Sequence, residues 1–569
     1  MYPVGVTSIA SYLEERGFRT QIINLAYKML ADPAYDVERT ISRTRARFFA
    51  LDLHWLPHVH GSIEIAHLVK KHHPDSVIIM GGMTASYYHQ ELMKYSSVDY
   101  VLRGDSVEEP CYRLLNCLTK GLHLKEVPNL TFRDGDGRVV ENPLSHVPSC
   151  LDDVDVPAYR YLISSVFKNG SFLNCLPYQG WLEYPMTLLL TSRGCSMNCV
   201  ICGGSSSAYQ RICNRKTPAF RSPARLREDV RTITLFSRAP IFVIHDLRQG
   251  GRKYAEEFLD GLAAEKVPNE FIFELFQPAS DEYFKRLNSS VSRYSLQLSI
   301  ESHVQKIREN GGGKFSHSSN KEIINTMRKA LRNGCQKIDL FFIIGLPGQK
   351  YADALGCVEF SRRIIMQLRE EFGAAANIVP YAAPYAPFLD PGSPIYEDPD
   401  RYGYRILWKE LDDYRTALLA PSWKYMLNYE TQWMSRHELV RATYATARKF
   451  NALKLELEII DAKTFLSVKK ALEKSEKIIE LVDEITREEL GELPGGLFPL
   501  PAARKVLEIL HGRAEMEETG YALCGSKELH WPVKARFGGL FSFFKLGLQL
   551  LSGAGTDERI SPPGKNCSQ

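Results

Sequence analysis

Between residues 185 and 400, six short apolar runs alternate with helical segments, and this alternation restricts the possible folds more than any other feature. The runs are "PMTLLLTSRG", "APIFVIHDL", "NEFIFELF", "RYSLQLSIES", "KIDLFFIIGLPG" and "GAAANIVPYA". Between them lie amphipathic stretches such as "KYAEEFLDGLAAE" and "NKEIINTMRKALRNG". Continuous apolar strands bounded by helices predict a parallel sheet buried on both faces. The expectation for 185–400 is a partial (β/α)6 barrel, with its chemistry at the C-terminal ends of the strands.

A shorter series precedes it. Over 1–145, "GVTSIASYLEERG" reads as a helix and "RTQIINL" as a strand. "RFFALDL", "SVIIMGG" and "VDYVLRG" are further strands, separated by the helices "SIEIAHLVKKHHP" and "SYYHQELMKYS" and followed by the helix "EEPCYRLLNCLTK". This pattern predicts an α/β, doubly wound, Rossmann-like domain. No strand precedes its first helix, so the usual first strand is missing or the chain starts late. "LTFRDGDGRVVEN" reads as a β-hairpin around Asp-Gly, and 146–184 as a linker. From 401 to 569 the strands stop and long helical patterns take over, ending in a tail read as disordered. The apolar stretch "FGGLFSFFKLGLQLLSG" (537–553) falls short of the roughly 18 residues that span a bilayer. Packing on the body of the protein is preferred for it over contact with a membrane surface or a lipid-like substrate.

Bulk properties narrow the function. The net charge is +4, from 71 basic and 67 acidic side chains, and no long basic block occurs, which argues against nucleic acid as a partner. The 12 cysteines are mostly dispersed, unlike a secreted disulfide framework, so reduced thiols in a cytoplasmic setting are expected.

Three of those cysteines are not dispersed. "TSRGCSMNCVICGG" places Cys195, Cys199 and Cys202 in one C-x3-C-x2-C run just past the first barrel strand. A structural zinc site uses four ligands, commonly two separated pairs, and Cys213 has no pair of its own. A four-iron cluster held by three thiolates keeps one iron open to an outside ligand, which suits this run. Zinc and buried structural thiols are the other readings of the same residues.

C-x3-C-x-Φ-C, with Ile201 at Φ, at the end of the first barrel strand resembles the signature of radical S-adenosylmethionine (SAM) enzymes. The resemblance implies a 4Fe-4S cluster on Cys195, Cys199 and Cys202, with SAM on the fourth iron. It also implies reductive cleavage of SAM to a 5′-deoxyadenosyl radical. By the same resemblance Ile201, Ile344 and Gly345 lie along the adenine, and Gly203 and Gly204 let the backbone approach the cofactor. Asp246, or His245 beside it, falls near the SAM amino group, although the usual Gly-Gly-Glu is absent there. Ser299 and Glu301 are aimed at ribose or methionine.

The first 145 residues resemble the cobalamin-binding domain found ahead of such barrels, through "IIMGGMTAS" and "VDYVLRGDSVEEP". The resemblance implies a cobalamin site that includes Asp52, His54, Gly81, Gly82 and Thr84, with the glycines passing the nucleotide tail. "DLHWLP" carries the Asp and His of a cobalt-ligating motif, but it ends in Pro57 and follows the wrong strand. His54 is therefore read as lining the pocket, along with His58, His60 and His89, the alternative being cap or surface positions. The two cofactors together imply a cobalamin-dependent methyltransferase acting on an unactivated carbon of a small-molecule or lipid-like substrate. An electron donor such as flavodoxin or ferredoxin is implied too. The alternatives are a radical SAM enzyme with a degenerate cobalamin domain and a non-catalytic metal- or cobalamin-binding scaffold. The segment 379–396 is read as a lid. Trp423, Asn428, Tyr429 and Trp433 are pocket candidates, with core packing as the competing reading.

Overall fold

A computed structural model describes residues 4–169, 183–384, 388–490, 500–511 and 523–532, with isolated positions between these stretches. The N-terminal sheet runs in the order β1 (Phe48–Asp52), β2 (Val77–Gly81), β3 (Tyr100–Leu102), β4 (Leu130–Arg133), β5 (Val139–Glu141). The first three strands are parallel and the last two antiparallel, the latter joined as the expected hairpin. Helices cover both faces. Val59–His72 buries Val59, Ile63, Ala66 and Val69, a spacing of three to four residues, in the same core as Ile78, Met80 and Val101. On the other face Leu13, Cys111, Leu114 and Leu115 pack with Ile79, Leu102 and Phe132.

"RTQIINL" departs from expectation: residues 18–24 join no sheet. No neighbouring strand supplies a ladder for it, and Asn24 instead caps the helix Leu25–Ala31 by accepting the Tyr27 amide at 3.1 Å.

The larger sheet has six parallel strands in sequential order: β6 (Thr187–Leu190), β9 (Ile241–Ile244), β10 (Phe271–Leu275), β11 (Tyr294–Glu301), β12 (Ile338–Ile344) and β13 (Ile378–Pro384). A two-residue ladder, β7 (Ser192–Arg193) with β8 (Ala219–Phe220), sits above β6. Helices connect the successive strands, as parallel pairing requires. Among the described residues β6 and β13 do not pair with each other, so the barrel is open. At the start of the strands the segment 523–532 crosses beneath: Trp531 stacks on Phe242, and the Lys337 ammonium donates to the carbonyls of Glu528 (2.6 Å) and His530 (3.0 Å). That leaves the opposite end, where the strands terminate, for the chemistry.

Strands do not stop at residue 400. β14 (Tyr404–Ile406) and β15 (Tyr429–Thr431) form an antiparallel pair, and both are too short to register as a pattern in sequence. The long helices Arg436–Glu456 and Ala462–Leu490 follow as expected. Among the described residues no helix is long and apolar enough to cross a membrane, and 537–553 and the tail lie outside them.

Candidate active site

The three cysteines leave the sheet on the loop between β7 and the helix Ser206–Cys213. Thr191 anchors the loop's start by donating to the Ile244 carbonyl of β9 at 2.7 Å, and Ser205 caps the helix at its end. Two sulfurs accept backbone hydrogen bonds: Met197 donates to Cys195 Sγ at 3.4 Å and Gly204 to Cys202 Sγ at 3.2 Å. Gln249 Nε2 adds a contact of 3.6 Å to Cys195. Donors aimed at sulfur favour the thiolate. Burial works the other way, pushing Cys199 up, and with the Asp390 carboxylate it pushes Cys202 up to about 12. Metal binding at this loop would therefore displace thiol protons. Cys213 is turned to Met83 Sδ at 3.5 Å and buried. Among the described residues no three His, Cys, Asp or Glu side chains converge on a single ion.

Around Cys199 lies a loop that sequence reasoning passed over. "NGGGKF" follows β11, and Gly311 accepts the Val200 amide at 3.0 Å. A Cβ on Gly313 would lie 3.0 Å from both Cys199 Sγ and a Glu301 oxygen, so glycine is what lets the three meet. The buried Arg308 guanidinium ties the loop by donating to the carbonyls of Ser302 (2.7 Å) and Ser318 (2.6 Å) and to Asn320 Oδ1 (2.9 Å). Three consecutive glycines were the available signal. Glu301 sits at a bulge in β11, with φ +65°, and this turns its carboxylate toward the thiols. Burial pushes that carboxyl up to about 7 against the pull of Lys314. The Lys314 ammonium lies 4.1 Å above the Phe276 ring and 3.8 Å from Glu274, whose other oxygen accepts the His245 amide at 2.8 Å.

The other residues assigned to SAM sort unevenly. Ile201 is buried beside the thiols. Gly203 donates to Asp390 Oδ2 at 3.0 Å, and a Cβ there would strike Asp390 at 2.6 Å, so the space its glycine leaves is occupied by this carboxylate. A Cβ on Gly204 would make ordinary contacts with Cys202 Sγ at 3.5 Å and Tyr209 Cε2 at 3.8 Å. Asp246 is engaged elsewhere: its carboxylate accepts from Arg248 and from the Phe276 amide at 2.9 Å. Ser299 is half-buried on β11, ahead of the bulge. Ile344 is buried in the main core, and Gly345 (φ +99°) is covered by Tyr404, Tyr429 and Leu439. Asn428 is buried, donating to Tyr414 at 2.9 Å, and Trp423 donates to Tyr444 at 3.0 Å, so both serve packing.

On the N-terminal side, Thr84 Oγ1 donates to the His54 carbonyl at 3.0 Å. A Cβ on Gly82 (φ +117°) would lie 2.7 Å from the backbone of Leu53 and His54. The glycine is thus required by the chain's own close approach. Gly81 pairs with Asp52 and Leu102 across the sheet. Asp52 lies 3.3 Å from His58, and burial lowers the basicity of His54. His89 faces Thr131 on the hairpin, and His60 faces Glu64 and Arg415.

These two halves face each other. One cavity, with about 50 Å³ open to water, is lined by His54, Trp55, Met83 and Thr84 from the first sheet and by Gly203, Gly204, Tyr209 and Asp390 from the second. Two ion pairs fasten the halves beside it. Arg193, two residues before Cys195, holds the buried Glu108, with Nη1–Oε2 at 2.9 Å, and Arg215 holds Asp105. Both acids belong to "RGDSVEEP". Residues 1–110 match the family model of the B12 binding domain. The structure superposes on the radical SAM methyltransferase TsrM of Kitasatospora setae with cobalamin and a [4Fe-4S] cluster bound, at TM-score 0.56 and 13% identity over 81% of this chain and 87% of that one. It also superposes on the cobalamin-dependent SAM radical enzyme OxsB, at TM-score 0.51 and 12% identity over 97% and 77%. The fold is that of the cobalamin-dependent radical SAM enzymes. A curated relative, the hopanoid C-3 methylase of Methylococcus capsulatus, is 25% identical over 276 residues. The match covers 48% of this chain and 47% of that methylase, so the chain spans about half the length of this relative. The cavity brings the cysteine loop against the loops after β1 and β2.

Proposed function

We propose that this chain is a radical SAM enzyme that binds a four-iron cluster through Cys195, Cys199 and Cys202, binds a corrinoid at the facing loops, and methylates a small molecule. The observation that carries this reading is the single cavity bordered by His54, Trp55, Met83 and Thr84 on one side and by the Gly203–Gly204 end of the cysteine loop on the other. The donor set suits the cluster: three sulfurs on one loop, two of them accepting amide hydrogen bonds. A structural zinc ion commonly takes four ligands as two separated pairs, whereas this loop offers three thiols in one run. Cys195, Cys199 and Cys202 would hold the cluster, which would supply the electron for reductive cleavage of SAM, and a corrinoid at the facing loops would supply a methyl carrier.

The chain's own residues bind and enclose. Glu301, aimed past Gly313 at Cys199, is positioned for the amino or hydroxyl groups of SAM. Gly204 lines the cavity beside Tyr209. Asp390, in the segment read as a lid, holds the loop at Gly203 by accepting its amide at 3.0 Å. A corrinoid is far larger than this cavity, and His54, Trp55, Met83 and Thr84 are the residues that would border it. The electron donor is proposed to be a flavodoxin or ferredoxin.

The test is anaerobic expression with cobalamin supplied, followed by metal analysis and assay for 5′-deoxyadenosine. The expected result is about four iron and about one cobalt per chain, with SAM cleaved. Cys199→Ala should abolish cleavage. Iron without cobalt would reject the corrinoid, and cleavage at the wild-type rate by Cys199→Ala would reject the cluster assignment.

A further inference from the structure

The mechanism above makes no use of Lys314, the cation next to Gly313 on the glycine loop. Its ammonium is held between the Phe276 ring at 4.1 Å and Glu274 at 3.8 Å. Its side chain is about a quarter exposed. The preceding residue has no Cβ because Cys199 Sγ and Glu301 crowd it at 3.0 Å, which brings the loop against the metal-binding thiols. The charge of Lys314 reaches both Cys199 and Cys202, and the thiols and carboxylates act on it in return. Arg308, the other nearby cation, spends its donors on backbone carbonyls and Asn320. Lys314 is thus a cation held by Glu274 on the loop whose Gly313 touches Cys199.

We infer that Lys314 sets the reduction potential of the cluster, its fixed positive charge beside Cys199 and Cys202 favouring uptake of the electron. The inference rests on the cluster reading. Adding one electron makes the centre more negative by one charge, and a neighbouring cation stabilises the reduced state more than the oxidised one; net charge around the sulfurs is a recognised lever on such potentials. Glu274 acts in the opposite sense, so the pair forms a balance of one cation and one anion over the same loop.

Opposite signs make the test specific. The reconstituted chain, without SAM, is titrated with dithionite as the one-electron reductant, and the reduced cluster is read by electron paramagnetic resonance. Lys314→Met should lower the ratio of reduced to oxidised cluster at a fixed poise about tenfold, a shift of about 59 mV to more negative potential for a one-electron couple. Lys314→Arg should titrate close to wild type. Glu274→Gln, which keeps an acceptor for His245, should shift to more positive potential. A general loosening of the site would move both neutral variants the same way. If Lys314→Met and Glu274→Gln move together, or neither moves, the inference is overturned. If Lys314→Met does not yield folded protein, Glu274→Gln and Lys314→Arg decide it alone: a Glu274→Gln potential at or below wild type overturns it. If wild type takes up no iron, the cluster reading fails first, and the two failures are told apart by iron content.

Discussion

Arg193→Met offers a quantitative test of how the two sheets are joined. Glu108 is fully enclosed at the start of its helix and accepts from Arg193 at 2.9 Å and from Ser8 at 2.7 Å. Burial alone would push its carboxyl up, but the Arg193 charge and these hydrogen bonds outweigh burial and hold it below the ordinary carboxylate range. Removing the guanidinium leaves a buried anion without a counter-ion, which costs about 3–5 kcal/mol. That is a large share of a typical folding stability of about 5–15 kcal/mol. The sign with pH follows from linkage. In the native chain the folded carboxyl is more acidic than the unfolded one, so its contribution is present above about pH 4.3 and fades as pH falls. In the variant burial dominates and the folded carboxyl is the weaker acid. Its contribution is then present below about pH 4.3 and lost as pH rises. The gap between variant and wild type should therefore widen from pH 5 to pH 8, by about 1.4 kcal/mol for each unit by which the variant's folded carboxyl titrates above pH 5. Native-state hydrogen exchange of the Glu108–Lys120 helix and of the cysteine loop, at both pH values, measures it locally. Adding Glu108→Gln to Arg193→Met should recover part of the loss. A gap under about 1 kcal/mol, or one equal at pH 5 and pH 8, would refute the reasoning.

Two glycines give sharper steric predictions. Gly82→Ala places a Cβ 2.7 Å from the Leu53 and His54 backbone at φ +117°, so strain and overpacking together should cost about 2–6 kcal/mol, read by urea denaturation of the N-terminal region. Gly313→Ala pushes Cys199 Sγ and Glu301 from 3.0 Å contacts, at a cost of about 1–3 kcal/mol, and should lower iron retention against a chelator without changing the secondary structure seen by circular dichroism.

Much of the fold was legible because its signals are local. Each of the six barrel strands is an apolar run ended by its own turn residues, and all six occur where the runs lie. The hairpin at 130–141 was readable from Asp-Gly in the same way. The cysteine run was legible because three thiols on one loop need only sequence spacing to be noticed. What failed depended on a neighbour far along the chain. "RTQIINL" has the composition of a strand, yet a strand exists only where another edge pairs with it. β14 and β15 are three residues each and exist because they pair with each other across more than twenty residues.

The same division runs through the site. By itself the sequence determined that three thiols sit at the end of the first barrel strand and that a doubly wound sheet precedes them. Tertiary structure decided which side chains meet those thiols. Asp246 accepts from Arg248 and the Phe276 amide, both brought to it by the fold. "RGDSVEEP" became the anchorage for Arg193 and Arg215, and "GGGK" was drawn from the fourth strand's loop to Cys199. Spacing along a chain specifies what one loop can hold. Charge pairing and close approach between distant segments are settled only when packing brings them within a few ångströms.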